Sequence, residues 1–283
     1  MTTTPRILLD GLAMGESPRW HDGRLWLSDW GAREVVAVDL EGRRETILRV
    51  SAAPFSIDWL PDGRLLVTSA RDSRVLARDT DGSLATYADL RDVSDRPWNE
   101  IVVDGRGNAY LDNIGFDFPG GTFAPGIVAL VTADRDVRVL AGDVAFPNGL
   151  ALTDDERTLI VAESYAERLT AFDVADDGAL SGRRTWAETP GDHPDGICVD
   201  IEGAVWYADV GNRRCVRVRE GGAILETVEA DRACFACMLG GPDGSTLFVV
   251  AADWSDPAAL MGGRTRTGQV LVAPAPAPHA GRP

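Results

Sequence analysis

The chain contains no lysine: all 28 basic residues among its 283 are arginine. That excludes Schiff-base chemistry and the phosphate-loop lysine, and with them aldolase, PLP-dependent and ordinary P-loop functions. Histidine is nearly as scarce, with only His21, His193 and His279. No serine stands in a G-x-S-x-G setting, so a Ser/His/Asp hydrolase lacks its sequence signature. His21 falls in a turn and His279 near the end; His193, two residues before Asp195, reads as a solvent contact. The four cysteines, Cys198, Cys215, Cys234 and Cys237, lie mostly in strand-like runs. Their one C-x-x-C, "CFAC", has no second pair for zinc and no βαβ context for redox work, so reduced thiols packed in a core are expected.

Positive charge is short as well, and the net charge is −16. A chain of that sign offers no basic face to neutralise phosphates, so neither nucleic acid nor an anionic membrane is expected as a partner. A small neutral molecule or a cation fits better. No run approaches the ~18 apolar residues of a membrane span. The opening "MTTTPRILLD" has no basic segment followed by an apolar one, and a cytoplasmic location is expected.

With 45% hydrophobic and 25% charged residues the composition is that of an ordinary globular protein. Its organisation lies in a repeat. A short apolar segment, an Asp/Gly-rich turn and a second apolar segment recur as "SPRWHDGRLWLSD", "SIDWLPDGRLLVTS", "IVVDGRGNAYLDN", "GLALTDDERTLIVAE", "ICVDIEGAVWYAD" and "CMLGGPDGSTLFVVA". Alternation on either side of turn residues makes each copy a β-hairpin. The second strands begin near Arg24, Arg64, Asn108, Thr158, Ala204 and Thr246, at spacings of 40, 44, 50, 46 and 42 residues. A hairpin repeat of that period predicts an all-β, six-bladed β-propeller with four-stranded antiparallel blades around a central channel. Intervening runs such as "REVVAVDL" and "ERLTAFDV" supply third strands, and "RILL" near the start with "GQVLVAP" near the end would close the ring. Residues 1–273 are expected to form this single domain, with 274–283, rich in Pro and Ala, as a flexible tail.

In such a fold the first strand of each hairpin lines the channel. The residues opening those strands, Glu16, Ser56, Asn99, Asn148, Asp195 and the region of Cys237, therefore ring one mouth. Two carboxylates and two amides converging without His or Cys make an all-oxygen site for a hard divalent cation. Taken singly, Asn148 in "PNG" and Asp195 in "PDG" are also common turn formers. The second strands end near Asp29, Ser69, Asn113, Glu163, Asp209 and Ala251. That outer ring is a source of substrate contacts or ligand support; Asp29 and Ser69 read as polar strand ends meeting water.

These residues resemble the senescence marker protein, gluconolactonase and regucalcin family of six-bladed propellers. The likeness runs through "GESPRW", "RPWNEIVVDGRGNAY", "PNGLALTDD", "HPDGICVDIEGAVWYADVGN" and "CFACMLGGPDGSTLFVV". It implies metal ligands at Glu16, Asn148 and Asp195, with Ca²⁺ first and Mg²⁺, Mn²⁺ or Zn²⁺ as the others, and a substrate contact at Asn99. It also implies metal-dependent opening of a lactone, with Asp195 as ligand and catalytic base. Two departures stand out. Position 100 is Glu where the family has Asp, giving a longer carboxylate that is expected to reach into the pocket. The family's arginine two places before the Asn is Pro97, with Arg96 one place off, which removes an expected partner for sugar hydroxyls. Trp98, with Phe116, is then expected to make the pocket more apolar. The alternatives are a non-enzymatic calcium-binding propeller and a phosphotriester or aryl-ester hydrolase on the same scaffold.

Overall fold

The computed structural model describes residues 4–51, 56–69 and 72–281. Six four-stranded antiparallel sheets form the blades of a propeller. Blade 1 holds β2 (Gly15–His21), β3 (Arg24–Asp29), β4 (Glu34–Val38) and β5 (Arg44–Arg49). Blade 2 holds β6 (Ile57–Trp59) to β9 (Leu84–Asp89), and blade 3 holds β10 (Trp98–Val103), β11 (Ala109–Asn113), β12 (Gly126–Val131) and β13 (Val137–Val144). Blades 4 and 5 run from β14 (Pro147–Leu152) and β15 (Thr158–Glu163) to β17 (Leu180–Glu188), and from β18 (Pro194–Val199) and β19 (Val205–Asp209) to β21 (Ile224–Glu229). In the sixth, β22 (Ala233–Gly240), β23 (Thr246–Ala252) and β24 (Gly268–Pro274) are joined by β1 (Arg6–Leu12), which pairs Arg6 with Val272 and Leu12 with Gly268. The ring is thus closed by strands from both ends of the chain, with β1 covering the outer edge of β24. One short helix, α1 (Pro257–Met261), lies between β23 and β24, and no helix among the described residues is long and apolar enough to cross a membrane.

Alternating side chains give each blade two apolar faces, and the core lies between neighbouring blades. Leu66 and Val75 of blade 2 pack with Ile101, Val103 and Leu111 of blade 3; Val102, Tyr110 and Val128 on the other face of blade 3 meet Leu150, Leu152 and Leu159 of blade 4. The four cysteines are free, buried thiols in the core between blades 5 and 6.

The residues after β24 differ from the expected flexible tail. Ile201 donates its N–H to the Pro278 carbonyl, Ala280 donates to Val199, and His279 bridges to Asp200. Backbone hydrogen bonding plus burial of Ala277 and Ala280 holds this segment on the turn between β18 and β19 of blade 5 despite its composition. Its last two residues lie outside the described residues.

Candidate active site

Two backbone devices bring the polar residues to the channel mouth. The first is a β-bulge in the inner strand: register shifts fall between Glu16 and Arg19, Trp98 and Ile101, Pro147 and Leu150, and Pro194 and Ile197. Each bulge frees a residue from the ladder and re-aims its side chain. The second is glycine. In "PNG" and "PDG" the glycines lie inside β14 and β18 and make no turn. A Cβ on Gly149 would stand 2.5 Å from the Asp195 carbonyl oxygen and 2.6 Å from the Ile197 nitrogen; one on Gly196 would stand 2.7 Å from the Ala236 Cα. These positions stay bare so that inner strands of successive blades can touch at the mouth.

Glu16, Asn99, Asn148 and Asp195 all line one cavity of about 1110 Å³. Asn99 Nδ2 donates to Asn148 Oδ1 (3.1 Å), and Asn148 Nδ2 donates to Ser164 Oγ (3.4 Å). Ser164 Oγ in turn donates to the Pro194 carbonyl (2.7 Å). The two amides are therefore fixed relative to each other and to the strand that carries Asp195. His193 is exposed, as a solvent contact should be, and it stands at the cavity wall with Nδ1 3.0 Å from the Ser164 carbonyl. A carbonyl only accepts, so Nδ1 carries a proton.

Glu16 and Asp195 are buried, and neither is ion-paired to an arginine among the described residues. Burial, then the negative charges of Asp195 and Glu100, push the Glu16 carboxyl well above its ordinary range. Burial, then Glu100 and Asp112, do the same to Asp195. Asp112, fully buried on β11, is also raised well above its ordinary value, by burial and then by Glu100. Asp195 Oδ1 and Asp112 Oδ2 have no hydrogen-bond partner among the described residues. A buried group of carboxylates with unmatched oxygens and shared repulsion is the charge pattern that a bound cation relieves. No group of three or more His, Cys, Asp or Glu with metal-holding geometry occurs among the described residues.

Three expected roles change. Glu100 is outside the lining residues of the cavity. It accepts from Ser17 Oγ (2.9 Å) and Arg19 Nη2 (3.0 Å), side chains that reach from blade 1 to blade 3, so it buttresses the floor. Trp98, expected beside the substrate, is fully buried between blades 2 and 3 among Leu60, Tyr87 and Ile101. Neighbours in a strand point apart, and with Asn99 facing the cavity Trp98 must turn into the core. Phe116 is buried behind Phe146 and Tyr165, and it is Phe118, Phe146 and Tyr165 that line the cavity.

The outer ring also resolves differently. Asp29 is fully buried and accepts from the Ala13 and Met14 N–H groups (3.1 and 3.0 Å). Glu163 accepts from Ala145 N (2.8 Å), Asp209 from His193 N (3.3 Å), and Asn113 Nδ2 donates to the Arg96 carbonyl (2.7 Å). Each ties the end of a second strand to the segment feeding the first strand of its own blade. Ser69 Oγ donates to Asp72. Arg96 is committed to Asp117 (2.8 Å) at the rim.

The family model described as SMP-30/Gluconolactonase/LRE-like region matches residues 14–253. The chain belongs to that family. Its similarity to curated relatives is spread along its length: 27% identity to regucalcin of Xenopus laevis, over 95% of each chain, and 24% to regucalcin of Homo sapiens, over 90% of this chain and 89% of that one. Among solved structures it resembles a luciferin-regenerating enzyme (TM-score 0.83, 19% identity, 98% and 97% of the two chains). It also resembles the calcium-binding protein regucalcin of Agrobacterium tumefaciens (0.79, 22%, 100% and 96%) and a gluconolactonase of Xanthomonas campestris (0.76, 22%, 96% and 95%). At those identities the structural likeness carries the propeller fold alone.

Proposed function

We propose that this family member is a metal-dependent hydrolase that opens a lactone with an activated water. One observation carries the reading: two buried carboxylates free of ion pairs and two mutually fixed amides share the floor of one cavity, with Asp195 Oδ1 left unmatched. That donor set suits a hard divalent cation, Ca²⁺ first, held by Glu16, Asn148 and Asp195. When bound, such an ion supplies carbonyl polarisation and a water of lowered pKa. Glu16 and Asp195 bring the two negative charges that balance it. Asn99, oriented by its bond to Asn148, hydrogen-bonds the ester group, and Asp195 takes the proton from the attacking water. Arg19 and Ser17 hold Glu100 beneath them, so the floor keeps its shape as charge shifts above it.

The regucalcin relatives favour a second reading, a calcium-binding propeller without catalysis. The large cavity over the donor set supports the hydrolase, because a purely structural ion is closed off by protein groups. The four buried free thiols support a reducing compartment, the cytoplasm, as its place of work. A screen of calcium-loaded protein against lactones, aryl esters and phosphotriesters tests the assignment. Lactones should give the highest kcat/KM; turnover confined to phosphotriesters would overturn it.

A further inference from the structure

Two aromatic walls stand on opposite sides of the polar floor. Phe118, Phe146 and Tyr165 come from the loops at the mouth of blades 3 and 4 and line the cavity there. They form one stack: Phe146 and Tyr165 are parallel with centroids 4.7 Å apart, and Phe118 meets Phe146 edge-on at 5.0 Å. Three blades further round the six-membered ring, Trp30, Phe235 and Trp254 line the facing wall, with Phe235 and Trp254 edge-to-face at 5.0 Å. Phe118 and Tyr165 are exposed, at 36% and 51%. Phe146 and Tyr165 also pack on Phe116, and the exposed parts of Phe118 and Tyr165 face whatever enters the cavity.

Size points the same way. At about 1110 Å³ the cavity exceeds the ~300–1,000 Å³ of ordinary small-molecule sites. A monocyclic sugar lactone would fill a small part of it. Beyond the floor and the aromatic walls, the polar side chains among the described lining residues are Arg33, Ser51, Asp95, Asp117, Ser164 and His193, of which Asp117 is already paired with Arg96 and Ser164 with the Pro194 carbonyl. A hydroxyl pressed against the ring faces of either wall would lose water partners that those faces do not replace.

Resting on the hydrolase reading above, we infer that the substrate is a lactone carrying bulky apolar or aromatic groups, seated between the two walls with its ester over Asn99 and Asp195. Hydrolysis adds water across the acyl C–O bond: the acyl carbon gains the hydroxyl oxygen, the ring oxygen leaves with a proton, and one hydroxy acid results. The apolar groups stay untouched and serve only to hold the ring in place.

The test compares γ-phenylbutyrolactone with gluconolactone on the calcium-loaded full chain, in wild type and in the rim variants Tyr165→Ala and Trp254→Ala. The expected result is a higher kcat/KM for the phenyl lactone, with the ratio falling by about tenfold in each variant as a ring-sized contact is lost. A preference for gluconolactone, or a ratio that neither variant moves, overturns the inference. Calorimetry separates its fate from that of the hydrolase reading. If neither lactone is opened, the hydrolase reading fails alone when the ring-opened phenyl hydroxy acid binds more tightly than gluconate. If gluconate binds as tightly or more so, the aromatic assignment fails too.

Discussion

Replacing Arg19 with methionine removes the cation that faces the buried carboxylates of the channel. Arg19 Nη2 lies 3.0 Å from Glu100 Oε1, with the two side chains only 5% and 10% exposed, and it also donates to the Ile101 and Pro18 carbonyls. Methionine fills the volume but leaves Glu100 buried without its arginine partner, near Glu16, Asp112 and Asp195. Breaking a buried pair from one side costs about 3–5 kcal/mol. For a domain of this size that lowers Tm by roughly 10 °C. Removing both charges in Arg19→Met/Glu100→Gln avoids the stranded carboxylate and should recover about half of the loss or more. Thermal and urea unfolding of the wild type, both single variants and the double variant, all without metal, measure the cycle. If Arg19→Met unfolds within a degree or so of wild type, or the double variant is no better than the worse single, the pair is not what supports the floor.

Three further outcomes follow from the same geometry. Glu16, Asp112 and Asp195 are held above their ordinary values, so between the unfolded and folded pKa the native state binds more protons. Metal-free protein should therefore lose stability as pH rises above about 4, and added calcium should flatten that slope, as pH-dependent unfolding would reveal. Gly149→Ala drives a methyl into the backbone of Asp195 and Ile197; a loss of about 1–3 kcal/mol is expected, with weaker calcium binding by calorimetry, whereas unchanged binding would mean the strands part without moving Asp195. Asp209→Ala removes the acceptor from the His193 N–H and from Asn212, and should cost about 1–3 kcal/mol in denaturant unfolding while leaving the calcium stoichiometry intact.

Much of this architecture was legible because a hairpin repeat writes itself into the sequence six times. Second strands expected near Arg24, Arg64, Asn108, Thr158, Ala204 and Thr246 begin within one residue of those positions. Equivalent places in separate repeats also brought Glu16, Asn99, Asn148 and Asp195 to one mouth. Side-chain direction beside a bulge was not legible: Trp98, Asn99 and Glu100 are consecutive, yet one enters the core, one the cavity and one the channel beneath. Asp112 left a faint signal, as a charge inside the mostly apolar hairpin it shares with Glu100, whereas Arg19 lies 81 residues from its partner Glu100 and nothing local relates the two. The aromatic walls left less, since Phe118, Tyr165 and Trp254 sit on loops between repeats, where no period relates them. The glycines of "PNG" and "PDG" looked like turn residues because close approach between strands leaves the same letter.

The rate of lactone opening by metal-stripped protein, followed as calcium is added back, bears most directly on the central claim. Opening should be absent after chelation and return in proportion to bound calcium in wild type, and calcium should fail to restore it in Asp195→Asn or Glu16→Gln. Full activity in the stripped protein would contradict the account.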